Sequence, residues 1–222
     1  RILPKQADAF AGMRRTGQDP LAIARDLNSA EYYTDALETL RGSDNPKALP
    51  LRAQALTGLG RHEEARVAYE AWLKENPDDA NAQMELARTL SRLGLTDQAL
   101  SLFQKVKTPD SRLAQADLLE EKDPNQALAL YLDSPYPVAW WSATRILEAQ
   151  GRLTETLPIY ARVGKTDTAF ADDAAYRLYV LAQRLGDKEA QAKGKAQLDE
   201  LSLNWLALRA GKGEPLLDTA PP

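Results

Sequence analysis

A short pattern recurs along this chain: a glycine, a polar turn, a small residue, and a large apolar residue four positions on. It occurs in LGRHEEARVAYEAWL with Gly60, Ala65 and Tyr69, and in LGLTDQALSLFQKV with Gly94, Ala99 and Phe103. It returns in QGRLTETLPIYARV with Gly151, Thr156 and Tyr160, and in LGDKEAQAKGKAQL with Gly186 and Ala190. Two further copies lack the glycine: AEYYTDALETLRGS with Ala36 and Leu40, and KDPNQALALYLDS with Ala127 and Tyr131. Glycine can take the left-handed conformation that ends a helix. Turn residues such as Asp97, Asp123 and Asp187 can cap the next helix by accepting its free N–H groups. The small residue allows close approach of a partner helix, and the large one fills the space a turn later. Periodic segments precede each glycine, as in AQMELARTLSRLG and WWSATRILEAQG. The unit is therefore a helix hairpin, and a chain of such hairpins buries its apolar faces only by stacking.

The pattern resembles the tetratricopeptide repeat. The resemblance runs over roughly residues 17–205 and is fullest over 46–107. It carries over Ala53 and Ala87 as small residues of first helices, then Gly60 and Gly94, Ala65 and Ala99, and Tyr69 and Phe103. Pro77 closes one unit, and Trp140 stands where the family often has its tryptophan. The implied fold is all-α, a right-handed solenoid of antiparallel helix hairpins with no sheet and about 12 to 14 helices.

The units are irregular. The small residues Ala36, Ala65, Ala99, Ala127, Thr156 and Ala190 lie 28 to 34 apart, against a family period of about 34. Thr156 replaces the usual alanine, Pro158 follows in the first turns of a helix, and 106–126 leaves room for about two helical turns between Pro109 and Lys122. The pattern also resembles, more loosely, the helical region of soluble lytic transglycosylases, carried by AWWSATRILEAQGRLTETLPIYARV and FADDAAYRLYVLAQRLGD. Residues 1–16 are expected to form an N-terminal helix and 17–209 the solenoid. Within the latter, a final helix over 201–211 caps the stack, and 210–222 forms a flexible tail.

Composition narrows function mainly by exclusion. There is no cysteine, which removes disulfides, thiolate metal sites and cysteine nucleophiles. The one histidine, His62, reads as a solvated turn residue without a partner nucleophile, so neither a catalytic triad nor a zinc site is expected. The carboxylate pairs Glu63-Glu64, Asp78-Asp79, Glu120-Glu121 and Asp172-Asp173 are adjacent residues that point about 100° apart on a helix. Three of these pairs fall at helix starts, where the dipole favours negative charge. No phosphate-binding loop is present, and no cofactor is expected. A net charge of −4 argues against nucleic acid and anionic membrane as partners. No apolar run approaches the roughly 18 residues of a membrane span. The compartment is left open, with the periplasm ahead of the cytosol, and oligomeric state is not legible.

Binding residues follow from the resemblance. With Trp140 in the buried tryptophan position, Trp141 turns to the concave face. The same register brings Asn81, Met84, Arg88 and Arg92 to that face, with Arg145 beside Trp141 and Tyr176, Gln183 and Arg184 in the last unit. Guanidinium groups suit carboxylates and stack on aromatics. Pairing of these arginines with Glu85 and Glu148 on the helices is the competing reading. The expected function is a non-catalytic scaffold that binds an acidic peptide or protein segment in a concave groove. The alternative is a helical accessory region of a periplasmic cell-wall enzyme or complex.

Overall fold

The computed structural model describes residues 19–166 and 169–200. The expected N-terminal helix within 1–16, the capping helix over 201–211 and the tail over 210–222 lie outside the described residues. Among the described residues there are twelve α-helices and no strand. They are α1 Pro20–Ser29, α2 Tyr33–Thr39, α3 Ala48–Gly58, α4 His62–Glu75, α5 Ala80–Arg92 and α6 Thr96–Lys105. There follow α7 Pro109–Leu119, α8 Pro124–Asp133, α9 Pro137–Ala149, α10 Leu153–Val163, α11 Ala171–Leu185 and α12 Lys188–Glu200. The chain divides into two compact units between Ser111 and Arg112.

The repeated glycine does what its position demands. Gly60 has φ 74°, and beyond it Arg61 N–H reaches back to Leu56 O at 2.8 Å while Gly60 N–H bonds Thr57 O at 3.0 Å. This double bond closes α3 and turns the chain into α4. Gly94, Gly151 and Gly186 end α5, α9 and α11 in the same conformation. One copy without glycine makes the same turn: Glu31 has φ 63°, and Tyr32 N–H bonds Leu27 O at 2.8 Å.

Helix starts are capped more selectively than the sequence suggests. Asp123 accepts from Gln126 N–H at 3.0 Å and Asp187 from Ala190 N–H at 2.9 Å. Asp97 is not at the N-cap position; it lies inside the first turn of α6, which Leu95 precedes as N-cap. Asp79 caps α5 through Asn81 and Ala82 N–H and also accepts the Trp72 indole N–H at 2.7 Å. Burial pushes its carboxyl up, but the indole and the two backbone donors outweigh this and hold it below the usual carboxylate range.

The small and large residues of the pattern form the cores. Ala36, Ala65, Ala99, Ala127 and Thr156 are fully buried, as are Leu40 and Tyr131, and Tyr69, Phe103 and Tyr160 are nearly so. In the first unit α1, α2 and α3 join through Ile23, Ala24, Leu27, Ala36, Leu40, Ala48 and Ala55. In the second, Trp140, Leu157, Tyr160, Val163, Ala174, Leu178, Leu181 and Ala182 join α9, α10 and α11. Two departures from expectation are local. The helix α7 runs for 11 residues, three turns rather than two, because Pro109 serves as its first residue instead of delaying its start. In the last hairpin Ala190 packs against the second unit's core, and Gly194 adds a second close approach: a Cβ there would lie 2.6 Å from Tyr179 N.

Candidate functional site

Helices α2 to α5 of the first unit line an open cleft of about 470 Å³. Tyr33 lines it from α2, Gln54, Thr57 and Gly58 from α3, His62 from α4, and Glu85, Arg88 and Arg92 from α5. Its wall depends on a glycine: a Cβ at Gly58 would come within 2.4 Å of the Tyr33 ring. Arg88 and Arg92, one turn apart, are both exposed. Arg88 forms an ion pair with Glu85 at 2.9 Å, whereas Arg92 has no ion pair among the described residues. Below them lies the buried Tyr69, whose phenol is pushed up by burial and then by Glu85, against a smaller opposing pull from Thr57 and Arg92.

His62 is the main surprise. It is not a solvated turn residue but the first residue of α4, half-buried, with Nδ1 inside the protein and without a hydrogen-bond partner.

The second unit repeats this arrangement with its contents exchanged. Gly60, Arg61, Glu64 and Tyr69 correspond to Gly151, Arg152, Glu155 and Tyr160. The exposed pairs Arg61–Glu64 and Arg152–Glu155 recur at 2.6 and 2.7 Å. Thr57 corresponds to Glu148, Glu85 to Arg177, Pro50 to Trp141 and His62 to Leu153. In the second unit Tyr160 donates to Glu148 at 2.6 Å and Arg177 pairs with Glu148 at 3.2 Å. Burial opposes the Arg177 charge, but Tyr160, Glu148 and Asp173 outweigh it and its pKa stays raised. Trp141 lies edge-on to Tyr160 at 5.8 Å and stacks on Phe170 at 5.7 Å. Large and mutually paired side chains occupy the positions that Thr57 and Pro50 leave small in the first unit.

The expected binding residues are therefore not equivalent. Asn81, Met84, Arg88 and Arg92 share one face of α5, as helical spacing requires. Trp140 is buried, its indole N–H donating to Ser134 O at 2.7 Å and the Arg162 guanidinium 3.4 Å above its ring. Trp141 is half-buried and engaged by Phe170 and Tyr160, so it is not the open aromatic expected of it. Tyr176 does not line a groove either; at 1% exposure it belongs to the contact of α11 with Leu198. Arg145 is exposed but paired with Glu120, and Gln183 and Arg184 are exposed at the end of α11. Sequence reasoning missed Tyr33, Gln54, Thr57, Gly58 and His62. The signal available for His62 was its alignment with the apolar Leu153. Among the described residues there is no group of three or more potential metal ligands, and no helix is long and apolar enough to cross a membrane.

Two tetratricopeptide-repeat family models match the chain, over residues 21–79 and 56–116. No curated protein sequence matches it significantly. Solved structures share its fold. The C-terminal part of a TPR repeat-containing protein from Cytophaga hutchinsonii has a TM-score of 0.67 at 11% identity, covering 87% of this chain and 80% of that one. PilF of Pseudomonas aeruginosa has a TM-score of 0.57 at 14% identity, covering 93% and 99%. YrrB, described as a TPR protein with an unusual peptide-binding site, has a TM-score of 0.51 at 21% identity, covering 81% and 97%. At these identities the likeness is one of fold.

Proposed function

We propose that this chain, a tetratricopeptide-like helical-repeat protein, is a non-catalytic interaction scaffold that binds an acidic segment of a partner protein on the α5 face of its first unit. The observation that carries this reading is the opening of Arg88 and Arg92 into the α2–α5 cleft. Asn81 and Met84 extend the same helix face with a polar and an apolar contact. Helical repeats present such surfaces for segments that bind through a few anchors. The peptide-binding site named for YrrB is consistent with this use of the fold. Ion pairs on an exposed face contribute little each, while charge-assisted bonds shielded from water contribute about 1.5–3 kcal/mol. The cleft supplies partial shielding, so its arginines are the ones expected to matter.

The test begins with capture of a partner from the source organism's lysate. The partner is then titrated into wild type and the double variant Arg88→Glu, Arg92→Glu at two salt concentrations. The affinity is expected to fall at least tenfold, about 1.4 kcal/mol, and to weaken in wild type as salt rises. The variant stays folded because both side chains are exposed. An affinity unmoved by mutation and by salt would overturn the reading.

A further inference from the structure

Asn28 is a polar residue at a packing position. It is 3% exposed, on a helix whose other buried residues, Ile23, Ala24 and Leu27, are apolar. Its carboxamide reaches α3 at two points: Nδ2 donates to Leu51 O at 2.9 Å and to Gln54 Oε1 at 3.2 Å. The Asn28 Oδ1 is buried without a partner. An unmet buried acceptor destabilises a fold, so an apolar side chain would serve packing better here.

The two bonds fix how both amides are turned. Leu51 O can only accept, so the Asn28 atom facing it is Nδ2. The second hydrogen of that NH2 points to Gln54, where only the amide oxygen can take it. The Gln54 NH2 therefore keeps both hydrogens and has no partner among the described residues. Gln54 is exposed and lines the α2–α5 cleft together with Arg88 and Arg92. The second unit holds the corresponding residue in the opposite sense. In the alignment that pairs Gly60 with Gly151, Gln54 falls on Arg145, which donates to Glu120 just past α7. There a donor is consumed within the protein. In the first unit it is the acceptor that is consumed, and the donor is left for the cleft.

We infer that Gln54 is a further partner-binding residue of this cleft: its NH2 donates to a main-chain carbonyl of the acidic segment whose side chain the arginines hold. Asn28 is the positioning residue that keeps the NH2 turned outward. This rests on the acidic-segment reading and adds the main chain to what the cleft recognises. Arg92, without an ion pair among the described residues, takes the carboxylate. Gln54 takes the neutral acceptor that every residue of a segment carries beside its side chain. The segment thus crosses from α3 to α5, with a carbonyl over the first and a carboxylate over the second. Because Asn28 already holds Gln54, less side-chain freedom is lost on binding.

The side-chain NH2 signals in amide NMR spectra report on Gln54 directly, and the pair missing from Gln54→Met identifies it. Titration with acetyl-Ala-Glu-Ala-amide is expected to move one of the two Gln54 protons downfield. Acetate, a carboxylate without a peptide group, should leave both nearly in place. Gln54→Met should weaken the peptide about threefold, the size of one neutral hydrogen bond. Asn28→Leu should weaken it by a similar factor in the wild-type background and no further in Gln54→Met, since the two residues act as one. An Asn28→Leu loss of equal size in both backgrounds is what a purely structural residue gives, and it would overturn the positioning role. Gln54 protons unmoved by the peptide, an equal response to acetate, or full affinity in Gln54→Met would overturn the inference. Gln54→Met stays folded because the side chain is exposed, so this outcome does not hang on the stability of Asn28→Leu. If a captured partner still depends on Arg88 and Arg92 in that case, the acidic-segment reading stands without Gln54; if the partner is indifferent to both arginines, that reading fails on its own evidence.

Discussion

Glu31 and Gly60 occupy the same position in two copies of the repeat, and their exchange isolates the energy of one backbone conformation. Both residues have positive φ, 63° and 74°, and both turns are closed by a backbone bond of 2.8 Å. The left-handed region costs a non-glycine residue about 1–2 kcal/mol. Glycine gives back about 0.4–1 kcal/mol through the greater freedom of the unfolded chain. An acidic side chain at a helix C-terminus opposes the dipole by a further few tenths. Glu31→Gly is therefore expected to stabilise the α1–α2 hairpin by about 1 kcal/mol. The reverse change is clean, since a Cβ built on Gly60 meets nothing within 4 Å. Gly60→Ala therefore loses about 1 kcal/mol from conformation alone, without a steric term. Urea melts give the sign. Because repeat units can open separately, amide exchange in α1 and α2 for the first variant, and in α3 and α4 for the second, locates the effect. A neutral or destabilising Glu31→Gly beside a destabilising Gly60→Ala would refute the equivalence of the two turns.

Trp140→Ala should cost about 3–5 kcal/mol in denaturant melts, as removal of a buried, hydrogen-bonded ring does. Trp141→Ala should cost about half as much, since the stack on Phe170 and the edge contact with Tyr160 are lost from a half-buried site. Asp79→Ala should lose about 1–2 kcal/mol at neutral pH through the missing cap and the orphaned Trp72 indole. Because the Asp79 carboxyl is lowered in the fold, its contribution is complete above the ordinary carboxylate range and fades as pH falls below about 4. The difference between wild type and variant should therefore shrink in acid melts. Gly194→Ala should destabilise the α11–α12 hairpin by about 1–3 kcal/mol, since the new methyl meets Tyr179 backbone rather than a movable side chain, and thermal melts will show it.

The fold was legible because its constraints fall on single residues. A glycine that must be left-handed, an alanine that must be small and a tyrosine a turn later each leave one letter at a fixed spacing. The places where sequence reasoning failed carry no such letter. Asp97, inside a first turn, and Asp123, at a cap, carry the same letter, and what separates them is two residues of helix start. Gly194 was passed over because its role is set by the backbone of a neighbouring helix, not by its own.

The site was half legible for the same reason. Four-residue spacing places Arg88 and Arg92 on one face of α5 without any knowledge of neighbours. Whether that face opens into a cleft depends on what stands opposite, and here the two units part. The same tyrosine frame that is filled by Glu148, Arg177 and Trp141 in one unit meets Thr57, Glu85 and Pro50 in the other. An unaligned reading of His62 finds a charged turn and assigns it to solvent. Set beside Leu153, the same residue is a polar intruder at a packing position, and its unmet Nδ1 follows from the exchange. Functional residues in a repeat protein are thus sought first where one copy breaks the packing rule that its sister keeps.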